Sequence, residues 1–358
     1  MTYTQLNVFY KNNEFRNIDA DSNAVKFYLL RSISKKATLK KFCKKYSLDE
    51  NLDSIFSNSS VTVEVIIDFI KTEFVPKSTD EIIAIESELN KMQNFDWGGS
   101  AGNNLEKNIV NNVIKKTLKF EEIEQALLGP IQRSVYGYTL NSWYNHWSSI
   151  MIEEIFNANA RILPTVDLVE KIDFFIDGIP FDLKVTYFPE ELMKVKIAGK
   201  LQELYGSKSE LTCCKRIVKQ LGIAIPCDLE DRALTICLQN LIRESSDPIA
   251  IKFIRDLSNI KKEIYNYYME NPNELIVWLY ENQGEMRFDA ANRFYVVLID
   301  RDNPFESWKL KRNVSLLKTG INDKIAAFDS EKLNKIKFHW FKDGKFYECF
   351  SELLFICK

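Results

Sequence analysis

Asp173, Asp182 and Lys184 are the residues whose types and spacing point most directly to chemistry. They lie in the stretch Lys171-Ile172-Asp173-Phe174-Phe175-Ile176-Asp177-Gly178-Ile179-Pro180-Phe181-Asp182-Leu183-Lys184-Val185-Thr186. Its apolar runs read as two strands, Ile172 to Ile176 and Ile179 to Tyr187, joined at Asp177-Gly178, a dipeptide suited to a tight hairpin turn. The two-residue period of the second strand puts Asp182, Lys184 and Thr186 on one face and Phe181, Leu183 and Val185 on the other. Folding the hairpin brings Asp173 toward Asp182, and two adjacent carboxylates repel unless a cation lies between them. Oxygen ligands of this kind suit Mg²⁺, with Mn²⁺ expected to substitute; Mg²⁺ keeps several waters and takes phosphate oxygens as further ligands. Such a centre serves phosphodiester hydrolysis, which needs a polarised phosphate, an activated water and positive charge against the transition state. Lys184 can hold or deprotonate the water, or neutralise the phosphate; the sequence leaves both roles open.

The segment before the hairpin, Ser142 to about Asn157, has helical periodicity and carries Glu153-Glu154. Glu154 falls on the face of Trp143, Trp147 and Ile150, while Glu153 falls to its side with His146 and Ser149, so helical geometry favours Glu154 as a further ligand and leaves Glu153 open. Asp173, eight intervening residues and then Asp182-Leu183-Lys184 resemble the PD-(D/E)xK motif of the restriction-endonuclease-like nucleases. Ile172 stands where the motif's name has Pro. The resemblance spans about residues 142 to 187. It implies an α/β fold with a core of helix, β-hairpin and mixed sheet flanked by helices, and metal ligands at Asp173, Asp182 and Glu154 or Glu153. It further implies a Mg²⁺-dependent endonuclease cutting double-stranded DNA, of the type II restriction kind, with a possible homodimer supplying two sites for two strands. A repair or transposition nuclease of the same fold is the nearest alternative. A non-catalytic DNA-binding or interaction protein, its hairpin charges merely structural, is the alternative of a different class.

Around this hairpin the chain reads as two lobes, 1–135 mainly helical and 136–358 α/β. Val25, Tyr28, Leu29 and Ile33, then Leu39, Phe42 and Cys43, then Val63, Ile66, Ile67 and Ile70 have helical spacing. Thr38 to Leu48, with lysines at 40, 41, 44 and 45, is a candidate opening of a DNA-reading helix-turn-helix, although two short helices with exposed lysines are the commoner explanation. Gly98 to Asn104 and Gly129-Pro130 to Tyr138 read as irregular connections. Mostly helical sequence from about 191 to 285, a buried strand at Phe294 to Ile299, and a hairpin of Ile336 to Phe341 with Phe346 to Phe350 around Asp343-Gly344 complete the pattern.

Composition narrows the classes. With 358 residues and 46% hydrophobic residues the chain has ample apolar surface for a core. A net charge of −2 gives no global basic signature, so nucleic-acid contact must come from local clusters such as Lys35, Lys36, Lys40, Lys41, Lys44 and Lys45. Seven scattered cysteines without a C-x-x-C pair, and two histidines, argue against structural zinc. His146 and His339 lack nucleophile partners at recognisable spacing, and no phosphate-binding glycine loop is present. The sequence carries no apolar run of the roughly 18 residues a membrane span needs, which together with the cysteine pattern points to a reduced, cytoplasmic setting without membrane contact.

Overall fold

A computed structural model describes residues 1–12, 22–95, 109–169, 171–226, 229, 231–282 and 291–358. Its α/β architecture is a six-stranded mixed open sheet between two layers of helices. The strands are β1 (Ile162–Val169), β2 (Ile172–Ile176), β3 (Ile179–Tyr187), β4 (Arg293–Ile299), β5 (Lys335–Trp340) and β6 (Lys345–Cys357), ordered β1-β2-β3-β4-β6-β5. Neighbours β3, β4 and β6 are parallel, whereas β1 with β2, β2 with β3, and β5 with β6 are antiparallel.

The β2–β3 hairpin turns where the sequence predicts. Asp177 and Gly178 both take positive φ, 50° and 83°, the conformation a two-residue turn demands and that Asp and Gly tolerate. Arg161 fixes the turn by reaching Asp177 Oδ2 at 2.5 Å and the carbonyls of Ile325 and Phe328. The ladder pairs Phe174 with Phe181, Phe175 with Pro180 and Ile176 with Ile179. Strand β1 lies at the sheet edge, where Pro164 and its missing N–H are tolerated.

Among the described residues, the chain opens with the helices α1 (Tyr3–Lys11), α2 (Ser22–Ser32), α3 (Lys36–Tyr46), α4 (Leu52–Ser57), α5 (Val63–Glu73) and α6 (Thr79–Asn90). Their apolar faces form one core with Phe174, Phe181, Leu183, Phe294, Val296 and Leu298 of the sheet. The second layer comprises α9 (Glu190–Tyr205), α10 (Glu210–Gln220), α11 (Asp231–Glu244), α12 (Pro248–Glu270) and α13 (Pro272–Asn282), which follow α7 and α8, described next. It packs on the opposite face, against Tyr295, Val297 and Ile299. Strand β4 is buried along its whole length and sends alternate side chains into the two cores, as a central strand covered on both faces must.

Residues 129–138 are helical rather than an irregular connection. α7 (Phe120–Ala126), a π-helical turn at Leu127–Ile131 and α8 (Gln132–Asn157) run on with helical backbone angles at every junction. Pro130 has no N–H to give the ladder, and the wider turn absorbs that defect without ending the helix. The expected connection at Gly98 to Asn104 lies outside the described residues. Strand β6 also runs beyond Phe350: its first half pairs with β5, and Ser351 to Cys357 pair in parallel with β4. α14 (Val314–Ala326) packs on β6. Among the described residues no helix is long and apolar enough to cross a membrane.

Candidate active site

One residue beyond the last β2–β3 ladder pair, continuing the register places Asp173 opposite Asp182. Asp173 Oδ2 accepts the Leu183 N–H at 2.6 Å, which ties it to the strand carrying Asp182. Asp182 is buried, at 7% exposure, and its Oδ1 receives Lys184 Nζ at 2.6 Å. Lys184 keeps 38% of its side chain exposed, so a cation stands between the buried carboxylate and solvent. The period-two reading of β3 thus brings these three residues to one face, with Phe181 and Leu183 in the opposite core.

The parallel neighbour extends the row. Arg293, at the start of β4, is in register with Asp182, and its Nε lies 3.7 Å from Asp182 Oδ2. Its guanidinium sits 4.8 Å from the Tyr280 ring centre, and Nη1 donates to Tyr295 Oη at 3.1 Å. The preceding Asn292 acts as a clamp. Its carbonyl accepts from Asp182 N at 2.9 Å, its Nδ2 donates to Pro180 O at 3.1 Å, and its Oδ1 accepts from Phe350 N at 3.1 Å. Neither residue was singled out by motif. The available signal was a polar pair opening an otherwise apolar strand, where an unpaired charge would be costly.

Helix α8 carries Glu153 within electrostatic influence of Asp173 and Lys184. Burial pushes the Glu153 carboxyl up to about 7; the charges of Asp173 and Glu154 act in the same direction, and Lys184 opposes them. Burial and then Asp182 likewise raise Asp173, against the Leu183 N–H bond and Lys184. Glu154, which the helical-face argument favours, instead accepts the Lys77 N–H at 3.2 Å and secures the chain just before α6. The two glutamates diverge because consecutive helical positions point about 100° apart. Phe156, one turn beyond Glu153, stacks on Phe174 at 4.9 Å and 18°, and Phe181 and Phe294 complete an aromatic cluster behind the carboxylates. That cluster fixes the helix over the strand.

Asp173, Asp182 and Glu153 are all hard oxygen donors, and two of them are held in conditions that disfavour their charged forms. A small divalent cation would relieve that cost, so the donor set fits Mg²⁺. Among the described residues no three or more His, Cys, Asp or Glu form a ready-made metal cage. Mg²⁺ makes no such demand, since it is usually held by one or two carboxylates with waters and substrate phosphate. Asp173 and Asp182 are the primary candidates to hold it, with Glu153 beside them.

Other basic, aromatic and thiol groups lie in varied settings. Lys36, Lys40, Lys44 and Lys45 form an exposed basic face on α3, while Lys41 pairs with Glu73 at 2.8 Å. Lys194 is engaged by Glu190 and Glu191, Lys200 faces Glu263, and Lys196 lies over Tyr267 and Tyr268. Trp143 and Trp147 pack against the first core, with His146 beside Trp147. Cys213 and Cys214 are buried, and burial pushes the Cys214 thiol up to about 12, away from nucleophilic use. No family model, no curated protein and no solved structure matches the chain.

Proposed function

We propose that this chain is a Mg²⁺-dependent endonuclease of the restriction-endonuclease-like kind, acting on double-stranded DNA. The observation that carries the reading is the row formed by Asp173 and Asp182 on adjacent strands, with Lys184 on Asp182; Glu153 of the preceding helix is buried within electrostatic influence of Asp173 and Lys184. The order of helix, hairpin and mixed sheet supports the reading.

Bound Mg²⁺ would supply Lewis acidity toward the scissile phosphate and lower the pKa of a bound water. The protein's own residues do the rest. Asp173 and Asp182 hold their carboxylates on the hairpin, where the Leu183 N–H orients the Asp173 carboxylate and Lys184 that of Asp182. Lys184, half in solvent, is placed to meet the negative charge that develops on the phosphate. Glu153, poised near neutrality, can accept a proton from the attacking water. Arg293 neutralises part of Asp182's charge from behind. The basic face of α3 is a candidate DNA contact, and a homodimer would bring two such sites to two strands. Type II restriction is the proposed biological role.

Incubation of purified protein with varied plasmid and linear DNA, with Mg²⁺ and with chelator, tests the reading. Discrete fragments that require Mg²⁺ are expected. No cleavage of any duplex, together with no Mg²⁺ binding by calorimetry, would contradict it. One observation favours a second reading: Lys184 and Arg293 already flank Asp182, so the row also works as a purely structural ion-pair ladder in a non-catalytic protein. That alternative expects no divalent-cation binding.

A further inference from the structure

A cavity of about 630 Å³ opens where the carboxylate row ends. Its wall begins at Thr186, the next residue after Lys184 on the same face of β3, so it starts roughly 7 Å along the strand at about 3.3 Å per residue. Phe188 and Phe305 line it from the segments that follow β3 and β4. The cavity therefore lies outside the carboxyl ends of two parallel strands, the crevice where open α/β sheets bind ligands. Its volume lies in the range of small-molecule sites and exceeds the needs of a lone base.

The lining specifies the kind of ligand. Phe188 packs edge-on to Tyr265 at 5.0 Å, and with Phe305 these rings give the cavity an aromatic wall suited to a planar group. Most charges in the wall cancel internally: Glu190 binds Arg232 at 3.0 Å and Lys194 at 3.1 Å, and Glu210 binds the buried Lys261 at 2.7 Å. Lys208 and Asp231, both exposed, make no ion pair with any described residue. The open groups are thus one cation, one anion and an aromatic wall. A deoxynucleoside monophosphate unit answers all three: phosphate for Lys208, a planar base for the rings, and base N–H or amino donors for Asp231.

We infer that this cavity receives one unstacked nucleotide of the strand being cut, adjacent to the scissile phosphate; the inference rests on the nuclease reading. A nucleotide leaving the stack pays an unstacking cost, which aromatic contacts in a preformed pocket offset.

The test is calorimetric titration of the full chain with each of the four deoxynucleoside 5′-monophosphates in chelator, so that cleavage does not intervene. Thr235, on the cavity wall, becomes Trp to fill the space, and Lys208 becomes Ala to remove the free cation. The expected results are saturable binding by the wild type, loss of at least about tenfold in affinity for Thr235→Trp, and a smaller loss for Lys208→Ala, with thermal melts showing that both variants fold. No binding by the wild type at millimolar nucleotide would overturn the inference, as would unchanged affinity in both folded variants. Cleavage assays on the same protein keep the two readings apart. DNA cutting without nucleotide binding removes the pocket inference alone, and nucleotide binding without any cutting removes the nuclease reading while the cavity stands as a nucleotide site.

Discussion

At the scale of single residues, Asp182 is held between two cations, Lys184 at 2.6 Å and Arg293 at 3.7 Å, while its neighbour Asp173 accepts the Leu183 N–H at 2.6 Å. Removing one partner from a buried charge pair is strongly destabilising, so Arg293→Met should lower unfolding free energy by about 3 kcal/mol. An unchanged denaturation midpoint would contradict the pairing. Glu153 gives a pH signature. Its raised pKa means that the folded state binds a proton more readily than the unfolded chain, so its contribution makes stability fall as pH climbs from the ordinary carboxylate range through about 7. Glu153→Gln is expected to flatten the decline in Tm across that window, measured without divalent cation. A parallel curve for the variant would show that Glu153 is not the group responsible. The carboxylate pair and lysine were legible because a two-residue period and an Asp-Gly turn fix where side chains point. The choice between Glu153 and Glu154 was not, because it depends on how α8 is rotated over β2, which the Phe156–Phe174 stack decides.

At the scale of elements, the hairpin presents the site, and its turn is the most exacting part. Gly178 has φ of +83°, and a Cβ there would meet Val25 Cγ1 of α2 at 3.3 Å. Gly178→Ala should therefore cost about 1–2 kcal/mol, read by chemical denaturation, from left-handed backbone strain and the tight contact. A neutral result would mean that the turn relaxes away from α2. Strands β2, β3 and most of β4 were readable from alternation and apolar runs, whereas β1 was not, since Pro164 and Asp167 interrupt its pattern and it is stable only as an edge. The π turn at Leu127–Ile131 was equally hidden. Gly-Pro normally signals a break, and only the helix on either side shows that it is bridged.

At the scale of the whole molecule, the sheet is the wall between two hydrophobic cores, and β6 ties the C-terminal hairpin to it. The order of helices and strands signalled an α/β fold, but it did not reveal that the N-terminal helices share a core with the sheet, because amphipathic faces carry no address. Strand β6 lies between β4 and β5. Deleting residues 345–358 should therefore abolish cooperative unfolding by circular dichroism, and a fragment that still melts sharply would show that β4 can stand as an edge. The row of Asp173, Asp182 and Arg293 spans three adjacent strands, so its integrity reports on the fold as well as on the proposed chemistry. The most direct test is the rate of Mg²⁺-dependent DNA cleavage by Asp182→Asn against wild type, with matched melts. A fall of about a hundredfold or more with the fold intact is expected if the Asp182 carboxylate serves the reaction; cleavage at the wild-type rate would contradict the assignment.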